Sequence, residues 1–123
     1  MSILKNEIPI LEFDAEQNAV IDSTHENLDI KLPPKCVFAF LGEYIEEYAS
    51  KNDVRQVAHF ISATKYYPIY IAEYKGKEVT LCQAPVGAAS ATQILDWLIG
   101  YGVREIISAG SCGCLETFPE GTF

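Results

Sequence analysis

The sequence has few basic side chains and very few histidines. It carries 9 Lys and Arg against 17 Asp and Glu, which gives a net charge of −8 with the two histidines neutral. Binding to nucleic acid depends on Lys and Arg that neutralise phosphates, and anionic membrane surfaces attract the same cations. The charge balance therefore argues against both partners. The two histidines are also far in sequence from Cys112 and Cys114, so no metal site of the usual zinc-ligand spacing is expected.

Long hydrophobic runs are missing as well. No apolar stretch approaches the roughly 18 residues of a membrane span, and residues 1–10 lack the basic segment and long apolar core of a secretion signal. We therefore expect a cytoplasmic protein with free thiols. Cys36 and Cys82 lie in apolar runs, where a small hydrophobic side chain suffices. The hydrophobic fraction of 49% and charged fraction of 21% are those of a globular domain.

The acidic side chains are concentrated early in the chain. Residues 1–53 carry 11 acidic and 4 basic side chains, whereas residues 54–123 carry 6 and 5. Residues 1–35 place prolines and acids between short apolar groups, which predicts a weakly structured N-terminal arm. The composition changes at residue 36, and residues 36–123 are predicted to form one α/β domain.

The predicted elements alternate in the manner of an α/β fold. Residues 36–41 are a continuous apolar run, typical of a strand buried on both faces, and residues 104–110 predict a second buried strand. Tyr74-Lys75-Gly76-Lys77 predicts the turn of a hairpin. The order of strand, hairpin, helix and strand predicts a mixed sheet. The remaining predicted elements are helices over 43–52 and 88–102 and strands over 57–64, 68–74 and 77–84.

Two glycine-containing turns are candidate ligand sites, because ligands of open α/β sheets bind beyond the carboxyl ends of strands. The turn Gly110-Ser111-Cys112-Gly113 combines a hydroxyl with backbone amides that glycine leaves accessible to an anion. Residues 85–90 end a strand and begin a helix, whose N-terminus favours negative charge. Small residues at strand ends also simply permit a tight turn, so these turns alone leave both interpretations open. Neither has the glycine spacing of a dinucleotide site.

Other polar side chains have structural interpretations. His59 lies in an apolar stretch and is expected in the core or in an interface. Glu43, Glu46 and Glu47 fall near the start of a predicted helix, where carboxylates suit the helix dipole. We expect these three to form a solvated face.

One ordered series of segments carries a family resemblance. It consists of residues 74–79, 85–87, 102–107 and, above all, Ser108-Ala109-Gly110-Ser111-Cys112-Gly113. The series resembles the nucleoside phosphorylase and uridine phosphorylase superfamily. The resemblance implies a three-layer α/β/α fold with a mixed, partly barrel-like sheet, and a homo-oligomer that is a dimer or larger.

The activity implied by this resemblance is that of a pentosyltransferase, in which phosphate cleaves the N-glycosidic bond of a nucleoside. No cofactor is implied, since inorganic phosphate is a co-substrate. Lys65 falls where relatives carry an Arg that reaches a neighbouring subunit's phosphate. By resemblance, the phosphate-binding residues are Gly42, Lys65 and Ser111, and the nucleoside-binding residues are Val86, Gly110, Cys112 and Gly113.

The sequence also departs from the family pattern. Glu43 follows Gly42 where many relatives have Gly-Asp-Pro and then an Arg, and Ser108 stands where phosphorylases often have another Arg. The resemblance places Phe123 at the start of the family's next strand, so the ribose-binding Glu and the acid that protonates the base are expected outside this chain, in a complementing C-terminal half. Nucleosidase-type hydrolysis and a non-catalytic, truncated protein that binds nucleoside or phosphate and oligomerises therefore remain alternatives.

Overall fold

A computed structural model describes residues 3–113 and Leu115. Cys114, predicted to be a free thiol, and residues 116–123, the end of the predicted α/β domain, lie outside the described residues. The chain starts with a two-stranded antiparallel ribbon of β1 and β2, separated by a 3-10 turn over Pro9–Leu11. The elements are β1 (Ile3–Leu4), β2 (Phe13–Asp14), β3 (Lys35–Phe40), α1 (Tyr44–Lys51), β4 (Arg55–Ile61), β5 (Tyr66–Tyr74), β6 (Lys77–Gln83), α2 (Ala88–Gly100) and β7 (Glu105–Gly110).

The main sheet is mixed, as predicted, with the strand order β4-β5-β6-β3-β7. β3 is parallel to both β6 and β7, whereas β4, β5 and β6 form an antiparallel meander. The predicted hairpin turns at Lys75 and Gly76, which both have positive φ, the conformation that two-residue hairpin turns require. The described strands form an open sheet and no closed barrel.

One helix covers each face of this sheet, which confirms the three-layer α/β/α fold. Successive residues of a strand point to opposite faces, so Phe38 packs on the α2 side and Ala39 on the α1 side. The α2 side holds the larger core, which contains both buried cysteines and Trp97. The smaller core, on the α1 side, consists of Ala39, Ile45, Ala72 and Leu81.

No helix in the described part of the chain is long and apolar enough to cross a bilayer.

β7 differs from its predicted burial. It pairs with β3 on one side, and no strand within residues 3–113 pairs with its other side. Most of its residues are therefore exposed, including Ile107 at 70%. An apolar run predicts a strand but does not distinguish a central strand from an edge strand, and this is why the prediction of a buried strand was wrong.

The second half of the N-terminal segment packs on the C-terminal end of α2. Glu26 accepts a hydrogen bond from Trp97 Nε1 at 3.1 Å, and the Leu32 side chain is only 2% exposed in the α2-side core. Gly102 permits this approach: its φ is +126°, and a Cβ there would lie 2.7 Å from the Leu32 carbonyl oxygen. Residues around 23–32 thus cover α2, whereas Val20 is 99% exposed.

Candidate functional site at the carboxyl edge of the sheet

The topology brings all of the predicted site segments to one edge of the sheet. β3, β6 and β7 are parallel, and their last residues are in register, with Ala39 opposite Gln83 and Phe40 opposite Gly110. The turn between β4 and β5 reaches the same edge, because β5 runs antiparallel to β6. We call this edge, with the turns at residues 41–43, 62–65, 84–87 and 110–113, the carboxyl edge.

The turns after β3 and β7 are open and rich in glycine. Gly42 has φ +59°, and a Cβ built on Gly42 or Gly113 would meet no atom within 4 Å. Gly110 is tighter, since its Cβ would lie 3.3 Å from the Cβ of Phe40 on the neighbouring strand. Ser111 and Cys112 are exposed to solvent. The backbone and hydroxyl groups that the sequence predicts for anion binding are therefore accessible at this edge.

The turn that carries Lys65 is fixed by the side chain of Ser62. The Ser62 hydroxyl oxygen accepts hydrogen bonds from the backbone N–H of Lys65 at 3.0 Å and of Thr64 at 3.3 Å. The Ser62 N–H in turn donates to the Lys65 carbonyl at 3.0 Å. Serine hydroxyls commonly close tight turns in this way. Ser62 thus sets where the Lys65 side chain leaves the backbone.

The Lys65 ammonium is held at the carboxyl edge by two partners in the same chain. Lys65 Nζ donates to Gln83 Oε1 at 2.6 Å, and it lies 3.3 Å from Glu46 Oε1 in the first turn of α1. It also lies 5.5 Å from the centre of the Tyr67 ring. The side chains of Lys65 and Glu46 are 38% and 39% exposed, so this ion pair is only partly shielded from water.

The pKa of the Tyr70 hydroxyl is affected by both charges of this ion pair. Burial raises the pKa of its hydroxyl, the Glu46 carboxylate raises it further, and the Lys65 ammonium lowers it. Both charges of the pair therefore act on a partly buried hydroxyl on the α1 side of the sheet.

Basic side chains are scarce at the carboxyl edge. Among the described residues from 34 to 113, Lys65 is the one Lys or Arg that the topology places there. Glu43, Glu46 and Glu47 stand at the start of α1 on the same edge, and Glu47 pairs with Lys51. The net charge of this edge is therefore negative. The other basic residues of this range lie at the opposite ends of the strands and helices: Lys35, Lys51, Arg55, Lys75, Lys77 and Arg104.

Val86, one of the predicted nucleoside-binding residues, is 94% exposed. It precedes Gly87, which has φ +107° and is the N-cap of α2. A cavity of about 290 Å³ opens beside it on the α2 side of the edge. This cavity is bounded by the residues next to Val86 and Lys65 and by the first turns of α2. Its lining is Phe60, Ser62, Ala63, Thr64, Tyr67, Pro85, Ser90, Gln93 and Ile94.

Sequence reasoning missed Ser62 and Gln83 at this site and misjudged Glu46, and it also misjudged the burial of His59 on β4. Glu46 is paired and half-buried instead of solvated, while Ser62 and Gln83 hold Lys65. A glutamine at the end of β6, directly after the buried Leu81 and Cys82, was the available signal for Gln83. His59 was predicted in the core or in an interface; it is exposed, with its ring 5.6 Å from that of Tyr66, so it does not lie in the core, and a position in an interface stays a prediction. It lies on β4, one of the two edge strands of the described sheet.

These features define a class of protein: a three-layer α/β domain with open, glycine-rich turns at the carboxyl ends of parallel strands, where such folds bind small ligands. The sequence model of the phosphorylase superfamily matches residues 34–123. The chain belongs to this superfamily.

Individual relatives agree with this assignment. The chain is 28% identical over 68 residues to a guanosine phosphorylase of Halorubrum lacusprofundi, a match that covers 55% of this chain and 28% of the relative. The fold is similar to that of uridine phosphorylase from Vibrio fischeri, with a TM-score of 0.56 at 20% identity over 76% of this chain and 35% of that one. The fold is also similar to that of purine nucleoside phosphorylase from Toxoplasma gondii, solved with immucillin-H. The TM-score is 0.56 and the identity 20%, over 80% of this chain and 39% of that one. The matches thus span about a third of each relative's length.

Proposed function

We propose that this chain provides the phosphate-contacting and nucleoside-contacting edge of an enzyme that cleaves the N-glycosidic bond of a nucleoside with phosphate. The observation that carries this proposal is that Gly42, Lys65 and the turn Gly110–Gly113 all lie at the same edge of the sheet. Membership of the phosphorylase superfamily supports the same class of reaction.

In the proposed reaction a phosphate oxygen attacks the anomeric carbon, and the bond from that carbon to the base nitrogen breaks. Its electron pair leaves with the base, which takes up a proton, and the products are a pentose 1-phosphate and the free base. The transition state carries positive charge on the sugar, so an anion held below the sugar stabilises it. Lys65 and the Ser111 hydroxyl bind that anion, while Val86, Gly110, Cys112 and Gly113 line the sugar and base.

Two further groups complete the proposed mechanism from a complementing C-terminal half: an acid that protonates the base and a Glu that binds the ribose. We also propose a homo-oligomer. β4 and β7 leave their outer edges unpaired within residues 3–113, and exposed strand edges are usually covered. A particle of one chain mass by light scattering would contradict the oligomer.

Hydrolysis is the second candidate, and the charge of the carboxyl edge favours it. Glu43 follows Gly42 where many relatives have Gly-Asp-Pro and then a phosphate-binding Arg, and Ser108 stands where phosphorylases often have another Arg. Lys65 is already paired with Glu46. Arg pairs with phosphate strongly because both its hydrogen bonds are charge-assisted. Weak phosphate binding would let water take the place of phosphate. A third candidate is a non-catalytic protein that binds nucleoside or phosphate.

Base release separates the three candidates. The purified chain is incubated with uridine, inosine or guanosine, with and without inorganic phosphate, and free base is measured by chromatography. Because the proposed mechanism takes two groups from a complementing C-terminal half, we expect little base release from the chain alone, and we expect any release to require phosphate. Release at the same rate without phosphate would establish the hydrolase, and no release from any of the three nucleosides would refute catalysis by this chain alone.

Ser111→Ala tests the anion-binding role of the turn after β7. We expect this change to abolish saturable binding of inorganic phosphate in calorimetry, since it removes the hydroxyl between the two glycines. Ser50→Ala is the matched control, because Ser50 lies at the far end of α1 and bonds only to the Glu47 carbonyl there. Equal binding by both variants and the wild type would refute the assignment of Ser111.

A further inference from the structure

The ion pair between Lys65 and Glu46 joins a cation to a competing anion at the carboxyl edge. Glu46 Oε1 lies 3.3 Å from Lys65 Nζ and belongs to the same chain, so the carboxylate is present at fixed local concentration whenever the protein is folded. Any other anion that binds Lys65 must compete with it. Gln83 differs from Glu46, because its neutral oxygen accepts from Lys65 at 2.6 Å without cancelling the positive charge.

We propose that Glu46 sets the anion affinity of the carboxyl edge by pairing with Lys65, so that an incoming phosphate displaces the Glu46 carboxylate while Gln83 keeps the ammonium in place. This inference rests on the proposed function, since it assumes that phosphate binds at this edge. In it Glu46 is a positioning residue that acts through Lys65.

Three observations support an exchangeable pair. Both side chains are more than a third exposed, so the carboxylate can return to water when phosphate arrives. Glu46 lies in the first turn of an α-helix, where the helix dipole stabilises its negative charge after it leaves Lys65. Lys65 itself stays fixed, because Ser62 holds its backbone and Gln83 its ammonium.

The helix also supplies a matched control. Glu47 is the next residue of α1, carries the same charge, and pairs with Lys51 one turn later. Glu46→Gln and Glu47→Gln therefore change the net charge equally and preserve the size of the side chain. They differ in whether the carboxylate removed is the partner of Lys65.

The experiment measures binding of inorganic phosphate by calorimetry in a double-mutant cycle of Glu46→Gln and Lys65→Gln. A half-exposed ion pair contributes up to about 1 kcal/mol, so we expect Glu46→Gln to tighten phosphate binding roughly threefold to fivefold. Glu47→Gln should leave the affinity close to that of the wild type. Lys65→Gln should weaken binding and should cancel the gain from Glu46→Gln. Trp97 fluorescence confirms that each variant is folded.

The possible results have distinct meanings. Wild-type binding that Glu46→Gln leaves unchanged, or that Glu47→Gln tightens equally, would overturn this inference and leave the proposed function standing. A gain from Glu46→Gln that persists without Lys65 would also overturn it. Absence of phosphate binding in the wild type and in every variant would overturn both the inference and the proposed phosphate site.

Discussion

Replacement of Leu32 by Ala tests whether the N-terminal segment is part of the core. The Leu32 side chain is 2% exposed and belongs to the same core cluster as Trp97 and Val103. Its backbone N–H donates to the Tyr101 carbonyl at 2.8 Å, and this bond survives the change to Ala. The loss is therefore that of a buried side chain, which costs about 3 kcal/mol through lost transfer energy and the cavity left behind.

Urea unfolding followed by fluorescence measures this change, since Trp97 is the one tryptophan of the sequence and lies in the affected core. A loss of about 3 kcal/mol corresponds to a midpoint lower by roughly 1.5 M, if the slope is near 2 kcal/mol/M. Val20→Ala is the control in the same segment, because Val20 is 99% exposed and should change stability by less than about 0.5 kcal/mol. Equal midpoints for Leu32→Ala and Val20→Ala would refute the packing of this segment on α2.

Two further predictions concern the backbone and the thiols. Gly102→Ala should destabilise the protein by about 2 kcal/mol or more, because φ at residue 102 is +126° and the new Cβ would lie 2.7 Å from the Leu32 carbonyl oxygen. Gly113→Ala is the control and should leave stability nearly unchanged, since a Cβ there would meet no atom within 4 Å. Equal urea midpoints for the two variants would contradict the prediction for Gly102. Burial raises the pKa of the Cys36 thiol from 9.0 to about 12. As the pH rises from about 9 towards 12, the thiol therefore ionises in the unfolded state before it ionises in the folded state. The free energy of unfolding falls over this range by up to about 1.4 kcal/mol per pH unit. Urea midpoints at pH 8 and pH 10 should show this loss and Cys36→Ala should reduce it; the same pH dependence in both proteins would refute it.

Much of the fold could be predicted because its signals are local. The apolar run at residues 36–41, the turn at Lys75-Gly76 and the apolar stripe of α2 each depend on neighbouring residues, and each gave the right element. The exposure of β7 could not be predicted in this way. Whether a strand lies at the centre or the edge of a sheet depends on what pairs with it, and an apolar sequence is compatible with both.

In the candidate site, too, the features that depend on neighbouring residues could be predicted, and those that depend on tertiary packing could not. Glycine-rich turns after strands are visible in sequence, so the turn Gly110–Gly113 was a candidate from its residues, whereas Gly42 was a candidate from the family resemblance. The partners of Lys65 were not, because Glu46 and Gln83 are 19 and 18 residues away and meet it only once β6 and α1 have packed. Charge patterning along α1 predicts that its glutamates form a solvated face. Glu47 is exposed, as predicted, whereas Glu46 is half-buried and paired with Lys65.

A phosphate titration followed by backbone amide chemical shifts tests the central claim most directly, since it locates the anion without requiring turnover. The account predicts saturable shifts at residues 42–43, 65, 86–87 and 110–113, which all lie at the carboxyl edge. Shifts that centre on the Lys75–Lys77 turn at the opposite edge, or that never saturate, would contradict it.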